Sequence, residues 1–310
     1  MSEGPDYGAL LDDEMRAYLA RGAAFYPPGA VDLSIPEQRA VYDAMCAQFH
    51  AGRPEGVMTW DAPFGGVNCR RYETGSPAAT LIYYHGGGFV MGGLHSHDDV
   101  CAELCARACV RVISVDYGLA PERVFPACYL DAEAAFQAIA AIYPGPVVMA
   151  GDSAGGNLAA AVTHHARARV CGQVLIYPDL GEDPTRGSFV THACAPELTT
   201  RDVLFYHSFR TGGGAIPVED PRFAPLHDHD FAELPPTVIV SAECDPLADD
   251  GKAYRDAIQS AGGRAVWFNE AGLVHGCLRA RHMSARAATF FDRVVGAARA
   301  LAAGDWPYPR

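Results

Sequence analysis

From Val57 onward, short runs rich in β-branched residues alternate with longer alanine-rich stretches whose apolar positions follow a helical period. The short runs predict strands at Val57–Trp60, Asn68–Glu73, Thr80–Tyr84, Val110–Asp116, Val147–Ala150, Gln173–Tyr177, Thr237–Ala242 and Arg264–Phe268. The first two read as an antiparallel hairpin around a turn at Pro63–Gly66. The intervals predict helices at His97–Ala108, Cys128–Ile142, Ala154–Arg169, Leu247–Ala261 and Met283–Ala303. Strand–helix alternation of this kind implies βαβ crossovers, hence an α/β fold with a mostly parallel sheet and helices on both faces. Most strands are continuous apolar runs, as strands covered on two faces must be.

Two segments break the alternation. Residues 1–55 carry weak helical patterns, Leu10–Ala20 and Glu37–Phe49, separated by Tyr26-Pro27-Pro28-Gly29. Residues 181–235 interrupt the sheet with proline, glycine and a helix-like Leu198–Phe209. An insertion that long is seldom an idle loop, and ligands in open α/β sheets bind at the strand ends. The expected organisation is therefore a sheet domain from 56–180 and 236–310, preceded by residues 1–55 and interrupted by 181–235, whose natural use is to cover the strand ends.

Composition narrows the function. The 310 residues are 49 % hydrophobic and 20 % charged, ordinary globular usage. The net charge of −13, with no run of basic residues, argues against nucleic-acid binding. Lys252 is the single lysine. The acidic start, Met1 to Met15, lacks the basic-then-apolar order of a signal peptide, and no apolar stretch of about 18 residues is present, so no membrane association is expected. Ten cysteines in a chain this long argue for a reducing cytoplasm rather than a disulfide framework, and Cys101, Cys105 and Cys109, at four-residue spacing on one helix face, read as buried thiols.

The chemistry sits at the strand ends. Gly151-Asp152-Ser153-Ala154-Gly155 is a G-x-S-x-G pentapeptide between a strand and a helix. Glycines there permit a sharp turn that displays a strained serine; the alternative is an ordinary turn with a capping serine. Upstream, His85-Gly86-Gly87-Gly88-Phe89 follows another strand. Its glycines leave backbone N–H groups able to approach a developing oxyanion. A phosphate-binding reading is weaker, because no Lys-Ser/Thr follows and no G-x-G-x-x-G opens the helix.

A serine nucleophile needs a base and a group to orient it. In the α/β arrangement that displays a serine this way, the chain order is Ser, then Asp or Glu, then His. Asp245 ends one strand and His275 follows another, so Ser153, Asp245 and His275 form the candidate triad. Glu243 competes from within the strand end, Asp249 and Asp250 read as charges in a first helical turn, and His282 reads as a capping or surface residue. The pairs His95/His97 and His227/His229 have metal-compatible spacing but no third ligand, and read as solvated loop residues with no metal.

Several motifs together resemble the hormone-sensitive-lipase-like family of α/β-hydrolase esterases, in the branch carrying Gly-Asp-Ser-Ala-Gly-Gly. The matching pieces are His85–Phe89, Asp116–Glu122, Phe125-Pro126-Ala127, Gly151–Asn157, Asp245-Pro246-Leu247 and His275-Gly276. Residues Ala242–Asp250 and Leu273–Met283 look most like bacterial acetyl esterases. The resemblance implies an α/β-hydrolase fold with an eight-stranded sheet and a helical cap formed by residues 1–55 and 181–235, and a cofactor-free serine carboxylesterase for acetyl to hexanoyl esters. It implies an oxyanion hole at Gly87, Gly88 and Ala154, and structural roles for His85 and Glu122. Phe89, Leu204 and Phe205 are the expected pocket walls. Gly118 stands where the family has arginine, so a supporting salt bridge is expected to be missing; Cys277 departs from the usual aromatic or aliphatic residue.

An amidase, lactonase or arylacetamide deacetylase would use the same machinery, and a non-catalytic receptor on this scaffold is the reading from another class. The partner expected is a small neutral ester, which needs no electrostatic steering. Edge pairing in relatives implies a homodimer through the edge strand Arg264–Phe268. Cys244 and Cys277, flanking Asp245 and His275, mark thiols whose oxidation or mercuration would affect activity.

Overall fold

The computed structural model describes residues 4–309. Eight strands form one sheet: β1 (Met58–Phe64), β2 (Val67–Glu73), β3 (Thr80–Tyr84), β4 (Arg111–Val115), β5 (Val147–Asp152), β6 (Gly172–Ile176), β7 (Thr237–Cys244) and β8 (Ala265–Val274). Their spatial order is β1-β2-β4-β3-β5-β6-β7-β8. β2 runs antiparallel to β1 and β4, and all other pairings are parallel. The helices are α1 (Tyr7–Leu10), α2 (Asp13–Ala23), α3 (Ile35–Ala47), α4 (Asp98–Ala108), α5 (Ala127–Ile142), α6 (Ala154–Ala166), α7 (Ser188–Thr191), α8 (Thr200–Arg210), α9 (Ala248–Ser260) and α10 (Ala285–Ala303). Among the described residues, no helix is long and apolar enough to cross a membrane.

The pleat divides the core in two. Leu81 and Tyr83 of β3, with Val148 and Ala150 of β5, meet α4 and α10 on one face. Ile82 and Tyr84, with Val147 and Met149, meet α5, α6 and α9 on the other. Period-two alternation between two apolar environments is why these strands carry no polar face. Each buried Leu, Val or Ile contributes about 1.5–3 kcal/mol.

Three boundaries depart from the local pattern. The hairpin turn is narrower than expected: Pro63 and Phe64 stay in β1, paired with Asn68 and Val67, because β1 is an edge strand and tolerates proline. β8 runs past the apolar stretch to Val274, which pairs with Cys244 beyond an irregularity that places two extra residues in β8. As the outermost strand it has one free edge and its middle is half-exposed, so Asn269 and Glu270 fit there. α2 starts at Asp13 rather than Leu10, because the Asp12 side chain accepts the Met15 amide at 2.8 Å and caps it.

Of the cysteines, Cys101 and Cys105 are buried in α4, but Cys109 lies beyond its C-terminus in a left-handed conformation and is exposed, as is Cys194. The expectation of a buried thiol fails at Cys109. All ten are free.

Candidate active site

Ser153 is the single residue between β5 and α6, and its backbone (φ +53°, ψ −119°) lies where non-glycine residues seldom sit. The turn is possible because Gly155 has no side chain: a Cβ there would lie 1.9 Å from the Tyr84 carbonyl oxygen. The Ser153 hydroxyl lies 2.9 Å from His275 Nε2, and His275 Nδ1 lies 2.7 Å from Asp245 Oδ2. Asp245 is fully buried, and its Oδ1 accepts the Leu247 amide at 2.8 Å. The three residues come from three loops at strand C-termini, and the extension of β8 to Val274 is what delivers His275. With Nδ1–H donating to Asp245, Nε2 is free to accept the serine proton.

The competitors are engaged elsewhere. Glu243 accepts the Gly272 amide at 2.7 Å, Asp249 the Ser188 amide at 2.8 Å, and Asp250 the Leu180 amide at 2.6 Å. His282 is exposed and pairs with Glu103.

Facing Ser153, the glycine loop brings Gly87 and Gly88 to the same pocket as Ala154. Among the described residues, none of these three amides donates to another protein atom. Gly87 has φ +126°, and a Cβ there would lie 2.2 Å from the Met91 carbonyl oxygen, so only glycine fits. The loop is fixed from below. Asp152 accepts from the Gly86 amide (2.9 Å) and the Tyr83 hydroxyl (2.8 Å), and faces His97 Nε2 at 3.2 Å. Burial works against its charge, but His97, Arg279 and the Tyr83 hydroxyl together hold its carboxyl below the usual range. His85 stacks on Tyr117 at 4.4 Å and donates from Nδ1 to the Gly86 carbonyl. Burial, reinforced by His97, lowers its pKa to about 4.

Glu122 acts on the loop indirectly. It pairs with Arg39 of α3 at 2.7 Å, and Arg39 also donates to the Val90 and Ala120 carbonyls. The salt bridge expected to be missing at Gly118 has a substitute: the Arg123 guanidinium lies against Gly118 and pairs with Asp131 at 2.7 Å. His97 is a correction. It is buried rather than solvated, because Asp152 and Ser96 satisfy its two nitrogens. His95 and His229 are exposed, and His227 bonds the Gly181 carbonyl.

The pocket measures about 230 Å³. Phe89 lines it. Leu204 and Phe205 do not: they are 40 % and 42 % exposed on the outer side of α8, while Val203 and Tyr206 face inward. At about 100° per residue, 203 and 206 share a helix face that 204 and 205 do not. α8 is held by Arg210, which is fully buried, lies 3.7 Å over the Phe89 ring and 4.1 Å over the Phe223 ring, and donates to Asn157 Oδ1. Asp179 in the pocket wall pairs with His207 of α8 at 2.7 Å. From the N-terminal side come Tyr18 and Tyr42, together with Glu197 and Arg279 from elsewhere, none with a sequence motif to announce it.

Known proteins resemble this chain in sequence and in fold. A family model described as the α/β-hydrolase fold matches residues 81–279. The carboxylic ester hydrolase LipN of Mycobacterium tuberculosis is 33 % identical over 94 % of this chain and 84 % of its own length.

The chain belongs to the α/β-hydrolase fold family.

The ethyl acetate hydrolase of Pseudomonas putida is 35 % identical over 65 % of this α/β-hydrolase and 66 % of its own length. The solved esterase of Pyrobaculum calidifontis superposes with a TM-score of 0.84 at 29 % identity, covering 94 % of this chain and 99 % of that one. The hormone-sensitive-lipase-like resemblance carried by the motifs of this α/β-hydrolase accords with these relatives.

Proposed function

We propose that this α/β-hydrolase is a serine carboxylesterase that cleaves short-acyl esters through an acyl-enzyme on Ser153. The observation that carries the reading is the hydrogen-bonded chain Ser153–His275–Asp245, opening on a pocket that also holds the amides of Gly87, Gly88 and Ala154. Relatives across most of the chain are named ester hydrolases, which supports the reaction class.

In this mechanism His275 Nε2 takes the hydroxyl proton as Ser153 Oγ bonds to the ester carbonyl carbon. The negative charge on the carbonyl oxygen is met by the three amides, each worth about 10²–10³ in rate in comparable sites. His275 then protonates the departing alcohol. Water, deprotonated by the same nitrogen, attacks the acyl-enzyme and releases the acid, restoring Ser153. Asp245 holds the imidazole tautomer throughout. The segments 4–55 and 181–235 act as a cap, and a pocket of about 230 Å³ favours acyl chains of a few carbons.

Replacing Ser153 with alanine is expected to lower kcat for p-nitrophenyl acetate by about 10⁴–10⁶-fold. A stoichiometric phosphonate label should attach to the native protein and not to the variant. Near-native hydrolysis by Ser153→Ala overturns the reading.

A further inference from the structure

Two charged side chains in the pocket wall have no ionic partner. Arg279 follows His275 by four residues in the short turn Cys277–His282 and is 8 % exposed. Its Nε donates to Cys46 Sγ at 3.2 Å and its Nη2 to the Tyr42 hydroxyl at 2.6 Å. Among the described residues, no carboxylate forms an ion pair with it and Nη1 has no acceptor. Glu197 lines the same pocket and makes no hydrogen bond or ion pair among the described residues.

Glu197 is also strained. Its φ of +71° is left-handed, a conformation that persists in a non-glycine residue where the surroundings impose it. Its carboxyl keeps solvent access through the pocket while protein atoms crowd it. That crowding raises its pKa above the usual value, against the opposing pull of Arg279 and His275. Beside Arg279 there is room: a Cβ built on Gly276 would lie 3.8 Å from the Tyr18 hydroxyl and 4.0 Å from Arg279 Nη1, with nothing nearer.

Arg279 is a largely buried guanidinium whose Nη1 lacks an acceptor among the described residues, and Glu197 is an exposed carboxylate on the same pocket. A ligand group that meets both gains a charge-assisted hydrogen bond at each. A carboxylate would meet Arg279 but be repelled by Glu197, Asp152 and Asp179, which share the pocket. An ammonium group would meet Glu197 but be repelled by Arg279. A neutral hydroxyl can accept from the guanidinium and donate to the carboxylate at once.

We propose that the pocket between Arg279 and Glu197 receives a hydroxyl group of the substrate, so that hydroxyl-bearing short esters are favoured over unsubstituted ones. This rests on the ester-hydrolase reading and names its substrate class. Both side chains are specificity determinants, since neither touches the bond that breaks. Sites built to hydrogen-bond a hydroxyl discriminate strongly against analogues that lack it.

The test uses two matched pairs, because the hydroxyl can sit on either side of the ester. The acyl arm compares p-nitrophenyl 3-hydroxybutyrate with p-nitrophenyl butyrate; the alcohol arm compares 2,3-dihydroxypropyl butyrate with propyl butyrate. In one arm the kcat/KM ratio should favour the hydroxylated ester by about tenfold or more. That ratio should fall to about one in Glu197→Leu and be partly retained in Glu197→Gln. Ratios near one in both arms for the native enzyme, or a ratio unchanged in Glu197→Leu, overturn the proposal. Failure to hydrolyse any of the four esters overturns the ester-hydrolase reading itself, a separate and distinguishable result.

Discussion

The carboxylate of Asp152 accepts the Gly86 amide at 2.9 Å, so the residue preceding Ser153 holds the loop that carries Gly87 and Gly88. Nucleophile turn and glycine loop are thereby one rigid unit. Asp152→Asn keeps the shape but turns an amide nitrogen toward groups that donate. The expected result is a 10–100-fold loss of kcat, on the order of one or two hydrogen bonds to a charged group, with KM nearly unchanged. Steady-state kinetics on p-nitrophenyl acetate measures it; native kcat in this variant removes Asp152 from the positioning of the loop.

His85 predicts how stability responds to acid. Its folded pKa of about 4 lies below the ordinary 6.5, so the unfolded chain binds the proton more tightly. The stability gained by keeping it neutral is complete above about pH 6.5 and is lost as pH falls to about 4, a change on the order of 3 kcal/mol. Urea midpoints should therefore drop between pH 7 and pH 4.5. His85→Asn should flatten that limb, whatever it does to stability at pH 7.

Arg210 predicts a stability effect distant from the triad. It is fully buried among Phe89, Phe125 and Phe223, and it bonds the Asn157 side chain and the Phe223 carbonyl. Arg210→Ala leaves Asn157 Oδ1 unmet, removes one of the two donors to the Phe223 carbonyl and empties a space between aromatic rings. Unfolding free energy should fall by about 2–4 kcal/mol, read from equilibrium urea curves. A change below 0.5 kcal/mol would deny it an anchoring role.

Thiol reactivity should separate by burial. Cys109 and Cys194 are exposed, whereas Cys244 and Cys277 are fully buried. Burial lifts the Cys244 thiol to about 11 and the Cys277 thiol well above its ordinary value, so neither supplies thiolate at neutral pH. The flanking thiols thus have little means to sense oxidants, contrary to what their sequence positions suggest. Titration of the native protein with a disulfide reagent should show two fast-reacting cysteines and leave activity largely intact. Rapid inactivation that Cys244→Ala or Cys277→Ala prevents would reverse this conclusion.

Much of the sheet and the chemistry-bearing residues could be read without coordinates. β3 matches its expected span, and β5 and β7 differ from theirs at one end only, because a strand buried on two faces must be apolar throughout and announces itself locally. Ser153 and the glycine loop are legible for a similar reason: the close approach of Gly155 to Tyr84 and the left-handed turn at Ser153 restrict residue type within a few positions. Asp245 and His275 follow from the order in which strands end.

The pocket walls follow no such local rule. Whether Val203 and Tyr206 or Leu204 and Phe205 face inward depends on the rotation of α8, which Arg210 and the His207–Asp179 pair set through contacts far apart in sequence. His97 reads as a loop histidine until Asp152, 55 residues on, accepts it in the core. Arg279 and Glu197 acquire meaning only where the N-terminal helices, the turn after β8 and the 181–235 segment converge on one cavity. Backbone constraint is local and leaves its mark on the sequence. The partners of a buried charge are chosen by packing, and only the tertiary structure names them.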